Sequence, residues 1–151
     1  MRWASSLTRV VWGAMAMRDE PRGEVHINSE GDLVTARKMV RHAALTMGFG
    51  VTDVTRIVTA ASELTRNVFR YAGSGIMHWR QVKAGDSVGI ELTFEDHGPG
   101  ILDVERAMEA GYTTGGGLGL GLPGAKRLMD DMEIQSEVGK GTIVTVTKWL
   151  R

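Results

Sequence analysis

The chain has 151 residues and a mass of 16.4 kDa, the size of one compact domain able to bury a real core. Its 18 Lys and Arg balance 18 Asp and Glu, so no overall field draws it to nucleic acid or to an anionic membrane surface, and neither is expected as a partner. The absence of cysteine excludes a disulfide scaffold, a thiolate metal site and a thiol nucleophile, and fits a reducing, cytoplasmic setting.

Residues 1–23 show no clear period. A short apolar run, Val10–Met17, follows Arg2 and Arg9 and contains Ala14-Met15-Ala16; it resembles a secretory signal only superficially, because Gly13 breaks it and it is short. The preferred reading is a poorly ordered N-terminal extension, with Met15 or Met17 as the native start. No stretch approaches the roughly 20 apolar residues of a membrane span.

From Glu24 the pattern is regular. Val25 and Ile27 alternate with His26 and Asn28 as a short strand. Asp32 opens a helix with Leu33, Ala36, Met39, Val40, Ala43, Ala44 and Met47 at helical spacing, stopped by Gly48 and Gly50. Thr52 or Asp53 is placed to cap a second helix, apolar along Val54, Ile57, Val58, Ala61, Leu64 and Val68 and ended by Gly73. Ile76–Val82 and Val88–Phe94 read as a hairpin joined through Lys83–Ser87. Ile101–Glu109 is a short helical candidate before a Gly-rich loop, and Leu122–Asp131 a helix with Pro123 in its first turn. Glu133–Glu137 and Thr142–Trp149 form a last strand pair around Gly139-Lys140-Gly141. The order β-α-α-β-β-α-β-β predicts an α/β chain of the α+β kind, a two-layer sandwich of a mixed, mostly antiparallel sheet of about five strands under three helices.

Three signals could carry chemistry. Glu63 and Asn67 stand at i, i+4 on one helix face, away from the apolar stripe. A carboxylate there can deprotonate a hydroxyl or water, and an amide oxygen is a hard, uncharged ligand suited to Mg²⁺, although such pairs are also common on ordinary solvated helix faces. Next, Glu95-Asp96-His97-Gly98-Pro99-Gly100 lies where a strand ends. Its carboxylate could accept from an amino group such as adenine's, with glycines letting backbone approach a ligand; a plain Gly-Pro turn is the alternative. His97 has no ligand spacing and reads as a turn residue. Strongest is Thr113-Thr114-Gly115-Gly116-Gly117-Leu118-Gly119-Leu120-Gly121, whose exposed N–H groups and following helix N-terminus suit phosphate oxygens.

Two familiar readings of that segment fail. Gly119, Gly121 and Gly124 satisfy G-x-G-x-x-G but follow a loop, not the strand of a βαβ unit. A P-loop needs Lys and then Ser/Thr directly after its last glycine, whereas Gly124 is followed by Ala125, Lys126 and Arg127.

Taken in order, Glu63-to-Asn67, Asp96-x-Gly98-x-Gly100, the Gly115–Gly121 loop and Gly139-Lys140-Gly141-Thr142 resemble the boxes of the GHKL ATP-binding superfamily over residues 24–151. Ala72-Gly73-Ser74-Gly75, the segment Gly121–Asp130 and the ending Lys148–Arg151 are similar to the RsbT-type switch-kinase family of bacterial stressosomes. The resemblance implies a Bergerat-type fold and a serine/threonine protein kinase that uses Mg²⁺ and ATP to phosphorylate STAS-domain scaffold or antagonist proteins. It also implies that the released kinase binds and activates a downstream phosphatase or cyclase.

Carried over by position, Glu63 would be the general base and Asn67 the Mg²⁺ and nucleotide ligand. Asp96, supported by Thr142, would take the adenine amino group, and Gly98 and Gly100 would line base and sugar. Thr114, Gly115, Gly116, Gly117, Leu118 and Gly119 would wrap the phosphates. Two departures stand out. Related anti-sigma-factor kinases carry a basic residue one turn after the Asn, where this chain has Tyr71 beside Arg70, and an Arg before the loop, where it has Tyr112-Thr113-Thr114. The phosphate-neutralising cation is therefore unassigned, with Arg70 and Arg106 as candidates, and the short lid, 101–114, implies slow or partner-dependent turnover. The competing functions are an RsbW-type anti-sigma factor kinase and a non-catalytic, nucleotide-dependent adaptor.

Overall fold

Among the described residues, alternating apolar positions and glycine punctuation mark out five strands and four helices. The computed structural model describes residues 20–109 and 121–151. The elements are β1 (Arg22–Ile27), α1 (Gly31–Met47), α2 (Val51–Ala72), β2 (Gly75–Ala84), β3 (Ser87–Asp96), α3 (Val104–Ala107), α4 (Gly121–Leu128), β4 (Asp131–Glu137) and β5 (Gly141–Trp149). Most of the expected N-terminal extension, 1–19, lies outside the described residues.

The strands form one sheet in the order β1-β2-β3-β5-β4, and all four pairings are antiparallel. Period-two alternation turns Val25, Ile27, Met77, Ile90, Leu92, Phe94, Val144 and Val146 to one face, where each is buried. Helices α1, α2 and α4 cover that face, with α2 in contact with both of the others. Ile57, Ala61, Leu64 and Val68 of α2 supply its side of the core, so the expected two-layer sandwich is what forms. The other face carries charge pairs such as Arg80 Nε to Glu91 Oε1 at 2.8 Å.

Local chemistry moves several boundaries. Helix α1 begins at Gly31, and Asp32 in its first turn reaches back: its Oδ2 accepts the N–H groups of Asn28 at 2.8 Å and Ser29 at 2.9 Å. Helix α2 is capped by Gly50, not by Thr52 or Asp53, and Asp53 instead pairs with Arg56 at 2.9 Å inside the first turn. The β2–β3 connection shrinks to Gly85-Asp86, with Gly85 at φ +61, because Ala84 and Ser87 already pair. Only Val104–Ala107 of the expected 101–109 helix forms, capped by Asp103, since Ile101 gives its N–H to Ser136 Oγ at 2.8 Å.

Helix α4 stops at Leu128, whose carbonyl accepts from the buried ammonium of Lys148 at 2.9 Å. Asp130 then turns the chain into β4 by accepting the Trp149 N–H at 2.8 Å and the Arg151 guanidinium at 2.9 Å.

Candidate functional site

One end of the sheet gathers most of the described candidates. Strand register sets Asp96 of β3 opposite Thr142 of β5, and Thr142 opposite Ser136 of β4, on the helix-covered side. Asp96 Oδ1 accepts the Gly98 N–H at 2.9 Å. Burial raises the Asp96 carboxyl above its ordinary value, opposed by the N–H groups of Gly98 and Thr142 and by the charge of His97. The result is a partly desolvated acceptor held in a fixed orientation, suited to a donor on a planar base.

Thr142, 7% exposed, has its Oγ1 2.8 Å from Ser136 Oγ. Ser136 donates to the Gly141 carbonyl at 3.1 Å, which spends its one proton, so the Thr142 hydroxyl is the donor between them.

The segment after Asp96 is stitched down on two sides. A methyl group on Gly98 would stand 2.7 Å from Ala72 Cβ, so this turn rests on the end of α2. Gly100 has φ +78, and a Cβ there would strike the Glu137 carbonyl oxygen, while Gly139 donates its N–H to the Pro99 carbonyl at 2.9 Å. Gly141, at φ +133, leaves no room for a Cβ beside the Asp96 carbonyl. Gly98 is thus held between Ala72 and Asp96, and Gly100 against Glu137 and Val138.

Further back along α2 stand Asn67 and Glu63. A methyl group on Gly121 would lie 3.7 Å from Asn67 Nδ2, so the amide sits beside the first residue of α4, where the Gly-rich segment ends. Glu63, with its side chain 19% exposed, pairs through Oε1 with Arg66 Nη1 at 2.9 Å. Helix rise separates Glu63 from Ala72 by about 13 Å, comparable with an extended nucleoside triphosphate from base to terminal phosphate. Asp96 at the end of α2, then Asn67 and Glu63 along it, therefore stand in order beside one helix, and this donor set fits a nucleotide with a hard cation.

Thr114, Gly115, Gly116, Gly117, Leu118 and Gly119, the proposed phosphate wrap, lie outside the described residues. Of the two candidate cations, Arg70 is exposed on the last turn of α2 and Arg106 lies on α3. The guanidinium found on Glu63 belongs to Arg66, which sequence reasoning passed over although it stands at i+3. Ser136 was also missed; a hairpin centred on Gly139 pairs 136 with 142, and that register was the available signal.

The family model of the histidine kinase-like ATPase domain matches residues 27–148. The chain is 48% identical over 127 residues to the serine/threonine-protein kinase RsbT of Bacillus subtilis, covering 84% of this chain and 96% of that one. It is 32% identical over 121 residues to the anti-sigma F factor of a Thermoanaerobacter species, covering 76% and 83%. In fold, the RsbU and RsbW domains of a Mycobacterium tuberculosis protein align with TM-score 0.55 at 20% identity; 85% of this chain spans a third of that one, 33%. A mycobacterial sensor histidine kinase, MprB, aligns with TM-score 0.52 at 17% identity over 85% of this chain and 97% of that one. Likeness over nearly the whole length of a serine/threonine-protein kinase, on top of a matched ATPase model, makes this chain a kinase of the histidine kinase-like ATPase domain family.

Proposed function

We propose that the chain phosphorylates serine or threonine on STAS-domain proteins of a stressosome-type complex, using ATP and Mg²⁺. Once released, it would bind and activate a downstream phosphatase or cyclase. The observation that carries the reading is the row along α2, from the Asp96–Thr142 pair at Ala72, through Asn67 at Gly121, to Glu63. When bound, Mg·ATP supplies the transferable phosphoryl group and the charge neutralisation that its transfer needs.

The chain's own residues do the rest. Asp96 accepts from the adenine amino group, with Thr142 beside it, and Gly98 and Gly100 bring backbone to base and sugar. The amide oxygen of Asn67 holds the cation, and Thr114 with Gly115 to Gly119 would close on the phosphates. Glu63 takes the proton of the acceptor hydroxyl as that oxygen bonds to phosphorus and ADP leaves.

The deciding experiment mixes the protein with γ-labelled ATP and a recombinant STAS-domain protein. Transfer of label is expected, and Glu63→Gln should lower it about 100-fold or more while nucleotide still binds. Equal labelling by Glu63→Gln would remove Glu63 as the base. Unchanged partner activation by that variant would favour the adaptor reading. The 32% identity to an anti-sigma F factor supports a second reading, an anti-sigma kinase, which would instead form a stable complex with a sigma subunit.

A further inference from the structure

We propose that Arg66 is a positioning residue for Glu63, a role that rests on the reading of Glu63 as the proton acceptor. The guanidinium engages one carboxylate oxygen, Oε1, at 2.9 Å. Among the described residues the other oxygen, Oε2, accepts no hydrogen bond. The two oxygens are therefore unlike: one is held and the other is free to take a proton.

A lone glutamate on a helix surface turns about three side-chain bonds, and one charge-assisted bond from a planar guanidinium selects among those rotamers. The spacing matters as well. Arg66 occupies i+3 and Asn67 occupies i+4, the two positions that adjoin Glu63 on the helix surface toward its C-terminus. The carboxylate is thus fixed from one side while the amide beside it stays turned to α4.

Stability does not account for the pair. The Arg66 side chain is 40% exposed, and ion pairs of that kind add little to folding. Its use is geometric: Oε1 is anchored, and Oε2 is aimed at the acceptor hydroxyl. In the reaction the hydroxyl proton passes to Oε2, the oxygen–phosphorus bond forms, and the bond from phosphorus to the ADP oxygen breaks.

The test measures kcat and the ATP KM for phosphotransfer to the same STAS-domain acceptor. Arg66→Ala, Arg66→Lys, Glu63→Gln and the double variant Glu63→Gln with Arg66→Ala are compared with the native protein. Arg66→Ala should lower kcat by about tenfold or more with the ATP KM within about twofold, and Lys should restore most of the loss. Adding Arg66→Ala to Glu63→Gln should change nothing further, because there is no base left to aim. Unaltered kcat in Arg66→Ala while Glu63→Gln is inactive overturns this proposal alone. So does a KM that rises as much as kcat falls, which would make Arg66 a nucleotide ligand, or an undiminished Arg66→Ala effect in the Glu63→Gln background. Full activity of Glu63→Gln overturns the base reading, and the role of Arg66 with it.

Discussion

Ser136 and Thr142 face each other across the β4–β5 hairpin with their hydroxyl oxygens 2.8 Å apart, and Ser136 also accepts the N–H of Ile101. One serine therefore ties its own strand to β5, through Thr142 and the Gly141 carbonyl, and to the start of the lid at Ile101. Its replacement by alanine should cost about 1–3 kcal/mol in urea unfolding, because the Ile101 N–H and the Thr142 proton both lose an acceptor. Nucleotide affinity should fall with it, measured by titration calorimetry.

Asp96→Asn should separate binding from stability. The asparagine oxygen can still take the Gly98 N–H, but the charged acceptor proposed for the base is gone, so nucleotide affinity should drop about tenfold or more. Stability should move the other way. Burial raises the Asp96 carboxyl, so its contribution is fully present below the unfolded value of 3.8 and is lost as pH rises through the folded one. At neutral pH the ionised side chain thus weakens the fold, and the variant should melt at a higher temperature.

Asp130 has the opposite sign. Burial raises its carboxyl, but the Trp149 N–H, Arg151 and Lys148 together outweigh burial and hold it below 3.8. Its stabilisation is present above that value and is lost as pH falls through the lower folded one. Asp130→Asn should be less stable than the native protein at pH 7 and should match it in acid, as followed by urea midpoints across that range.

Lys148→Met tests whether the two ends of the sheet are independent. The ammonium binds the Leu128 carbonyl and lies 3.6 Å from Asp130 and 3.8 Å from Asp53. Its loss leaves a helix-ending carbonyl without its donor and should cost about 1–3 kcal/mol. Thr142 is six residues away on the same strand, about 20 Å, so nucleotide affinity should be unchanged.

Much of this was legible in the chain because periodicity and glycine spacing report on local structure directly. Leu64, Val68 and their helical partners marked the buried face of α2, and Asp96 with Gly98 and Gly100 marked the strand end that turns toward it. Pairings that depend on register were harder to see. Ser136 acquires its role only when β4 is aligned on β5, and Arg66 only when a rotamer brings it to Glu63. Helix ends were misplaced for the same reason: Leu128 ends α4 because a lysine twenty residues later caps it, a tertiary contact that no local pattern encodes.

The strand order also governs when this domain can assemble. The last strand, β5, is not an edge; it lies between β3 and β4. Phe94 meets Val144, a partner 50 residues later, and Thr142, the partner of Asp96, arrives on the same late strand. During synthesis, β1, β2 and β3 can pair while the Asp96 end of the sheet stays half built, and β4 has nothing to join until 141–149 leave the ribosome. Emergence of 141–149 is thus the step that completes the sheet and sets Thr142 opposite Asp96 together.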